Sequence, residues 1–214
     1  MKVIVTGGSR GIGLAIVNAF KAAGHEVDSL SRTEGVNLLD MNDWSEVDFD
    51  CDILVNNVAT QYTEPADEYA HLMDDLDWVG IAMSLSQAAY PYMKSRGWGR
   101  IINISSVAAV CGGRYVIGYG MAKAALNRLT KGLAVEWAKD GITINAIMPG
   151  ITVTDMTKGL QDDPAHLEQM LGRIPAGRLG TPEDTAALAL FLASDAASYI
   201  NGACIPVDGG WLAR

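Results

Sequence analysis

Short β-branched runs occur at residues 3–5, 53–55, 101–104 and 142–147, each with the length and composition of a strand buried on both faces. Longer stretches with helical periodicity lie between them. Residues 11–23 and 118–138 read as helices, and in the second Ala122, Leu126, Leu129, Leu133 and Trp137 fall on one stripe. Alternation of strand and helix predicts right-handed β-α-β crossovers and a doubly wound parallel sheet in a three-layer α/β/α stack, with ligands at the carboxyl ends of the strands.

Two regions depart from this rhythm. Residues 32–52 have room for a short strand near 36–38 and one helical turn around 43–47, so the crossovers between the second and fourth strands are expected to be shortened. Residues 152–182 are interrupted by Gly159, Pro164, Gly172, Pro175, Gly177 and Gly180, a pattern that predicts a substrate lid. No repeat or linker divides the chain, and one domain over residues 1–214 is expected.

At 214 residues and 49% apolar composition the chain can fill one sizeable core. Its net charge of −9 argues against a nucleic-acid partner, which would need a dense basic surface. Cys51, Cys111 and Cys204 form no paired spacing with each other or with His25, His71 and His166, so neither a disulfide framework nor a metal site is expected. The chain enters its first strand directly after Met1 and Lys2 and contains no long apolar run, so a cytoplasmic protein without signal peptide or membrane span is expected.

Thr6 to Gly13 reads T-G-G-S-R-G-I-G between a predicted strand and a predicted helix. In that context glycines allow a sharp bend and close approach of backbone to a pyrophosphate, while the helix N-terminus favours negative charge. The expected fold is accordingly Rossmann-like, with Gly7, Ser9, Arg10, Gly11, Ile12 and Gly13 at a dinucleotide. Gly7, Ser9 and Gly11 also satisfy the G-x-S-x-G of a hydrolase elbow, but that elbow normally follows several strands rather than the first. A nucleoside-triphosphate loop fails because Leu14 stands where Lys belongs.

With this turn, N-N-V-A at Asn56 to Ala59, I-N-I-S-S at Ile102 to Ser106, Tyr119 and Lys123, and N-A-I-M-P-G-I-T-V-T-D-M at Asn145 to Met156, the chain resembles the short-chain dehydrogenases/reductases over nearly its whole length. The resemblance implies that Ser106 hydrogen-bonds a substrate carbonyl, that Tyr119 exchanges its proton, and that Lys123 also holds the nicotinamide ribose. Ser105 competes with Ser106, but the family's spacing of thirteen residues before the Tyr selects Ser106. The family commonly forms homodimers or homotetramers, and the same is expected here.

Tyr119 and Lys123 are four apart and share a helix face. Bringing a phenol from pKa ~10 to near neutrality needs ~4 kcal/mol. One positive charge ~4 Å away supplies about that at an effective dielectric near 20. The chain departs from the family at Trp78, which falls where many members carry an Asn that supports a water-mediated relay. A different class of function, a cofactor-binding sensor or scaffold with an impaired relay, draws its support from Trp78 and the shortened 32–52 segment.

In the family an acid closing the second strand binds the NAD ribose, whereas basic residues there select the NADP phosphate. Ser31 occupies the acid's place, Arg32 follows, and Arg10 lies in the glycine turn, so NADP(H) is expected over NAD(H). Asp28 within the strand and Glu34 beyond its end are the residues that could support NAD. The resemblance further implies cofactor contacts from Asp40 and Met41 at the adenine, from Asn57, Val58 and Ala59, and from Pro149, Gly150, Thr152 and Thr154. The substrate is expected to be a small carbonyl or alcohol, with Arg114 a candidate for a substrate carboxylate.

Overall fold

The structure, a computed structural model, describes residues 1–44 and 47–213, without the Met41 side chain. Its framework is a six-stranded sheet in the order β2-β1-β3-β4-β5-β6, built from β1 (Lys2–Thr6), β2 (Glu26–Leu30), β3 (Ile53–Asn56), β4 (Gly99–Ile104), β5 (Ile142–Pro149) and β6 (Cys204–Val207). Every neighbouring pair is parallel, as crossover connections require. β2 stands at one edge, with Glu26 and Asp28 exposed along it.

Successive strand residues face opposite layers and create two cores. On one side Val3, Val5, Val55, Ile102 and Ile147 pack with Ile16 and Phe20 of α1 (Gly11–Ala22) and with Ala189 and Leu192 of α7 (Pro182–Leu192). On the other, Ile4, Leu54, Ile101 and Ile144 meet Leu85, Ala89 and Met93 of α3 (Leu72–Arg96) and Leu133, Ala134 and Trp137 of α4 (Ile117–Trp137). This is the expected three-layer α/β/α arrangement. α2 (Met41–Trp44), α5 (Lys158–Gln161) and α6 (Pro164–Leu171) are short additions to it.

The strand expected near 36–38 is absent among the described residues. Its backbone groups are used locally instead: Val36 N donates to the Ser31 carbonyl at 3.0 Å, Asp40 N to that of Asn37 at 2.9 Å, and Asn37 N to Asp43 Oδ2 at 3.0 Å. A backbone committed to turns has no groups left for a ladder. Ile53–Asn56 is therefore the third strand of the sheet, not the fourth. The helical turn expected around 43–47 overlaps Met41–Trp44, and its residues 45 and 46 lie outside the described residues. No described helix is long and apolar enough to cross a membrane, and no group of three or more His, Cys, Asp or Glu among the described residues could hold a metal ion.

Candidate active site

β1 ends at Thr6 and the chain reverses through Gly7 at φ +66° and Gly11 at φ +53°, conformations that L side chains rarely adopt. Asn57, at the end of β3, locks this bend: its Nδ2 donates to the carbonyls of Thr6 at 3.0 Å and Gly7 at 3.2 Å, and its N–H donates to Thr6 Oγ1 at 2.9 Å. The Asn57 amide is thus occupied by the turn. A β-carbon on Gly13 would collide with the Gly7 carbonyl oxygen and lie 2.6 Å from Asn57 Nδ2, so α1 can start close to the turn only with glycine there. Arg10 caps α1 without a side-chain hydrogen bond, and no acid sits in the first turn. The leading amides of α1 carry partial positive charge with no carboxylate in their own turn, which suits a dinucleotide pyrophosphate.

The segment after β5 leans on this turn. A β-carbon on Gly11 would lie 3.4 Å from Thr154 Cγ2, and Asp155 comes within 3.8 Å of the Arg10 guanidinium. Behind it Gly150 N donates to the Val207 carbonyl at 2.9 Å, and buried Thr152 donates to the Gly150 carbonyl at 3.1 Å and bridges to Gly180. Thr154 therefore stands at the rim of the glycine turn, and Pro149, Gly150 and Thr152 lead to it from the end of β5. Val58 and Ala59 line a cavity below it.

At the end of β2 the structure adds a complication. Arg32 and Arg10 are exposed, as a phosphate clamp requires, while Ser31 is buried. The 3-10 turn Arg32–Glu34 folds Glu34 back, so that its Oε2 accepts from Ser29 Oγ at 2.7 Å and from Ser31 Oγ. Glu34 was expected beyond the strand's end; the turn returns its carboxylate to the strand. Asp40 holds Asn42 through Oδ1 at 3.0 Å to N and 2.9 Å to Nδ2, and the Met41 side chain lies outside the described residues.

The proton-transfer candidates meet at the end of β4. Ser105 is buried and donates to the Lys123 carbonyl at 3.2 Å, whereas Ser106 is only partly buried, hydrogen-bonds Tyr119 and accepts from Ala108 N at 3.1 Å. Tyr119 and Lys123 share one face of α4, with the ammonium 5.6 Å from the centre of the phenol ring. Lys123 Nζ donates to the Ile104 carbonyl at 2.7 Å.

The expected lowering of the phenol by Lys123 is not seen in this structure. Burial pushes the Tyr119 phenol above its ordinary value, the Ser106 hydrogen bond opposes this, and the Asp75 carboxylate adds to it. Burial also holds the Lys123 ammonium down to about 8, against the field of Asp75, which raises it. Desolvation disfavours both charged forms and is the largest influence on each.

Asp75, Thr60 and Tyr69 were missed by sequence reading. Asp75 lies on the buried face of α3 with Ala82, Ser86, Ala89 and Met93, and is 1% exposed. A carboxylate in that apolar rhythm is the signal that could have revealed it. Its carboxylate accepts from Tyr69 Oη and, at 3.4 Å, from Thr60 Oγ1. Trp78, expected from the sequence to stand at the family's Asn position, donates from Nε1 to Thr60 Oγ1 at 2.9 Å.

A family profile described as Enoyl-(Acyl carrier protein) reductase matches residues 41–212. A 2-dehydro-3-deoxy-D-gluconate 5-dehydrogenase from Bacillus subtilis (strain 168) is 37% identical over a gapped alignment 242 positions long, spanning 99% of this chain and 94% of the relative. A protein assigned as an NAD(P)-dependent gluconate 5-dehydrogenase from Beutenbergia cavernae, crystallised with NADP at low occupancy, superposes with a TM-score of 0.95 at 36% identity, covering 100% and 97% of the two chains. One from Agrobacterium tumefaciens assigned as a 2-deoxy-D-gluconate 3-dehydrogenase, with NADP bound, gives 0.91 at 37% identity and covers 100% and 96%. Profile, relative and superpositions each run through most of the chain, and on them it belongs to the short-chain dehydrogenase/reductase family.

Proposed function

We propose that this protein is an NADP(H)-dependent oxidoreductase that interconverts a carbonyl and an alcohol, with Tyr119 as general acid and base. The observation that carries this reading is that Ser106 hydrogen-bonds Tyr119 while Tyr119 and Lys123 line one cavity at the carboxyl end of the sheet. The bound cofactor would supply or accept the hydride. The glycine turn from Gly7 to Gly13 would hold its phosphates, and Arg10 and Arg32 the phosphate that distinguishes NADP from NAD.

In reduction, Ser106 would orient the carbonyl and the protonated Tyr119 would donate to its oxygen. Burial favours that protonated form, so the resting phenol suits reduction. Lys123 would hold positive charge beside the phenolate that forms and position the cofactor ribose. The NADP-bound structures of similar proteins support the cofactor assignment. Relatives named for gluconate and deoxygluconate make keto sugar acids the first substrates to screen, with Arg114, exposed between Ser106 and Tyr119, the candidate partner for their carboxylate.

This reading takes residues 1–214 as one domain whose lid is 152–182, working in the cytoplasm as a homodimer or homotetramer. The test is NADPH titration followed by a keto-acid and general carbonyl screen. Turnover with NADPH consumption supports the oxidoreductase. Tight NADPH binding with no turnover on any carbonyl supports the sensor or scaffold, whose structural argument is Trp78 beside the site.

A further inference from the structure

Between α3 and α4 lies a cavity of about 20 Å³, lined among others by Asn56, Thr60, Asp75, Trp78, Tyr119 and Lys123. A water needs roughly 10–15 Å³ of such volume and two to four polar partners. Both conditions are met. Asn56 is 5% exposed, and its Nδ2 donates to Asn103 Oδ1 at 2.9 Å and Ser86 Oγ at 3.3 Å, which leaves Oδ1 buried with no protein partner. A buried acceptor of this kind carries a desolvation penalty unless something donates to it.

The same cavity holds opposite charges that do not form a direct ion pair. Lys123, 5% exposed, donates to the Ile104 carbonyl, and Asp75, 1% exposed, is fed by Tyr69 and Thr60, with Trp78 donating in turn to Thr60. Asp75 lies in the first turn of α3, where the helix dipole favours an anion. Tyr69 is pressed against the catalytic helix, since a β-carbon on Gly118 would collide with its hydroxyl.

We infer that Asp75 is the internal counter-ion of Lys123 and a positioning residue for the proposed proton transfer, joined to the ammonium through one water that also donates to Asn56 Oδ1. The Lys123 ammonium donates to this water, and the water's two hydrogens go to Asp75 and Asn56. Burial lowers the proton affinity of Lys123, and the Asp75 field acts against that. The charged and titratable groups around the pair are Tyr119 on α4 and Tyr69 beside Asp75. Glu64 and Tyr62 act on Tyr69, and His71 at the start of α3 feels the Asp75 charge. The inference rests on the proposed function only for its kinetic consequence.

The test is a pH titration of the Lys123 side chain by NMR, using lysine labelled with ¹³C at Cε, with Lys123→Arg to assign the signal. In wild type the midpoint should fall near about 8, and in Asp75→Asn it should move to lower pH. An unmoved midpoint overturns the proposal. If Asp75→Asn does not fold, Tyr69→Phe is titrated instead; losing a donor leaves more of the carboxylate's charge to act on Lys123, so the midpoint should rise, and no rise overturns the proposal. A crystal structure with no water between Lys123, Asp75 and Asn56 overturns the bridged form. In turnover, Asp75→Asn should lower kcat about tenfold, less than the ~10²–10⁴ of a group that transfers the proton itself, and move the alkaline limb of kcat/KM to lower pH. A wild-type protein with no turnover at all defeats the proposed function, while the NMR midpoints still decide this inference.

Discussion

Lys123 donates its ammonium proton to the carbonyl of Ile104, the last residue of β4, at 2.7 Å. The strand that presents Ser105 and Ser106 thereby also fixes the cation. Because burial brings Lys123 from its ordinary 10.5 to about 8, the charge is present below that pH and lost above it.

Carbonyl reduction should therefore show a kcat/KM that declines as pH rises through about 8. Stability should move the other way. The unfolded chain binds more protons than the folded one between about 8 and 10.5, so the unfolding free energy gains from Lys123 as pH rises across that window. Urea midpoints of wild type and Lys123→Met, measured at several pH values, check the sign: the variant should lose this contribution.

Tyr119→Phe removes the hydroxyl that Ser106 contacts and leaves the glycine turn untouched. It should lower kcat by about 10²–10⁴, the usual contribution of a general acid, with little change in NADPH Kd. Steady-state kinetics beside a fluorescence titration of NADPH separate the two effects. Unchanged turnover would remove Tyr119 from its role.

Replacing Arg10 and Arg32 together should weaken NADPH far more than NADH. Glu34→Gln should act in the opposite sense, because its carboxylate, seated on Ser29 and Ser31, opposes a phosphate dianion at the end of β2. The ratio of the two cofactors' dissociation constants, measured in both variants, checks this. Equal losses for both cofactors in the arginine variant would contradict the assignment.

Gly13→Ala should weaken cofactor binding and stability together. The added methyl meets the Gly7 carbonyl and Asn57 Nδ2, both part of the bend itself, so relief requires the turn to move. A cost of about 1–3 kcal/mol is expected for such overpacking. Chemical denaturation with and without NADPH measures both effects.

Much of this was legible in the sequence because it is local. The runs around Val3, Ile53, Ile101 and Ile142 are strands, and a T-G-x-x-x-G-x-G between strand and helix is a short-range pattern whose geometry follows from glycine. The four-residue spacing of Tyr119 and Lys123 likewise fixes a shared helix face. What escaped depends on distant partners. Val36 and Leu38 have strand character, but Asn37 and Asp40 draw their backbone into turns. Asp75 reads as a surface acid of an amphipathic helix until Tyr69 and Thr60 are seen to cover it. The phenol's acidity was misjudged because the attraction of Lys123 can be read from spacing, whereas the loss of water around both groups cannot.

Ending the sheet at β2 leaves a row of main-chain groups with no further strand beside it among the described residues. Such a border can recruit a strand from another molecule, and Glu26 and Asp28 stand along it. Two copies meeting there would set carboxylates against carboxylates. The chain's economy in its adenosine half thus leaves its own acids to guard that border.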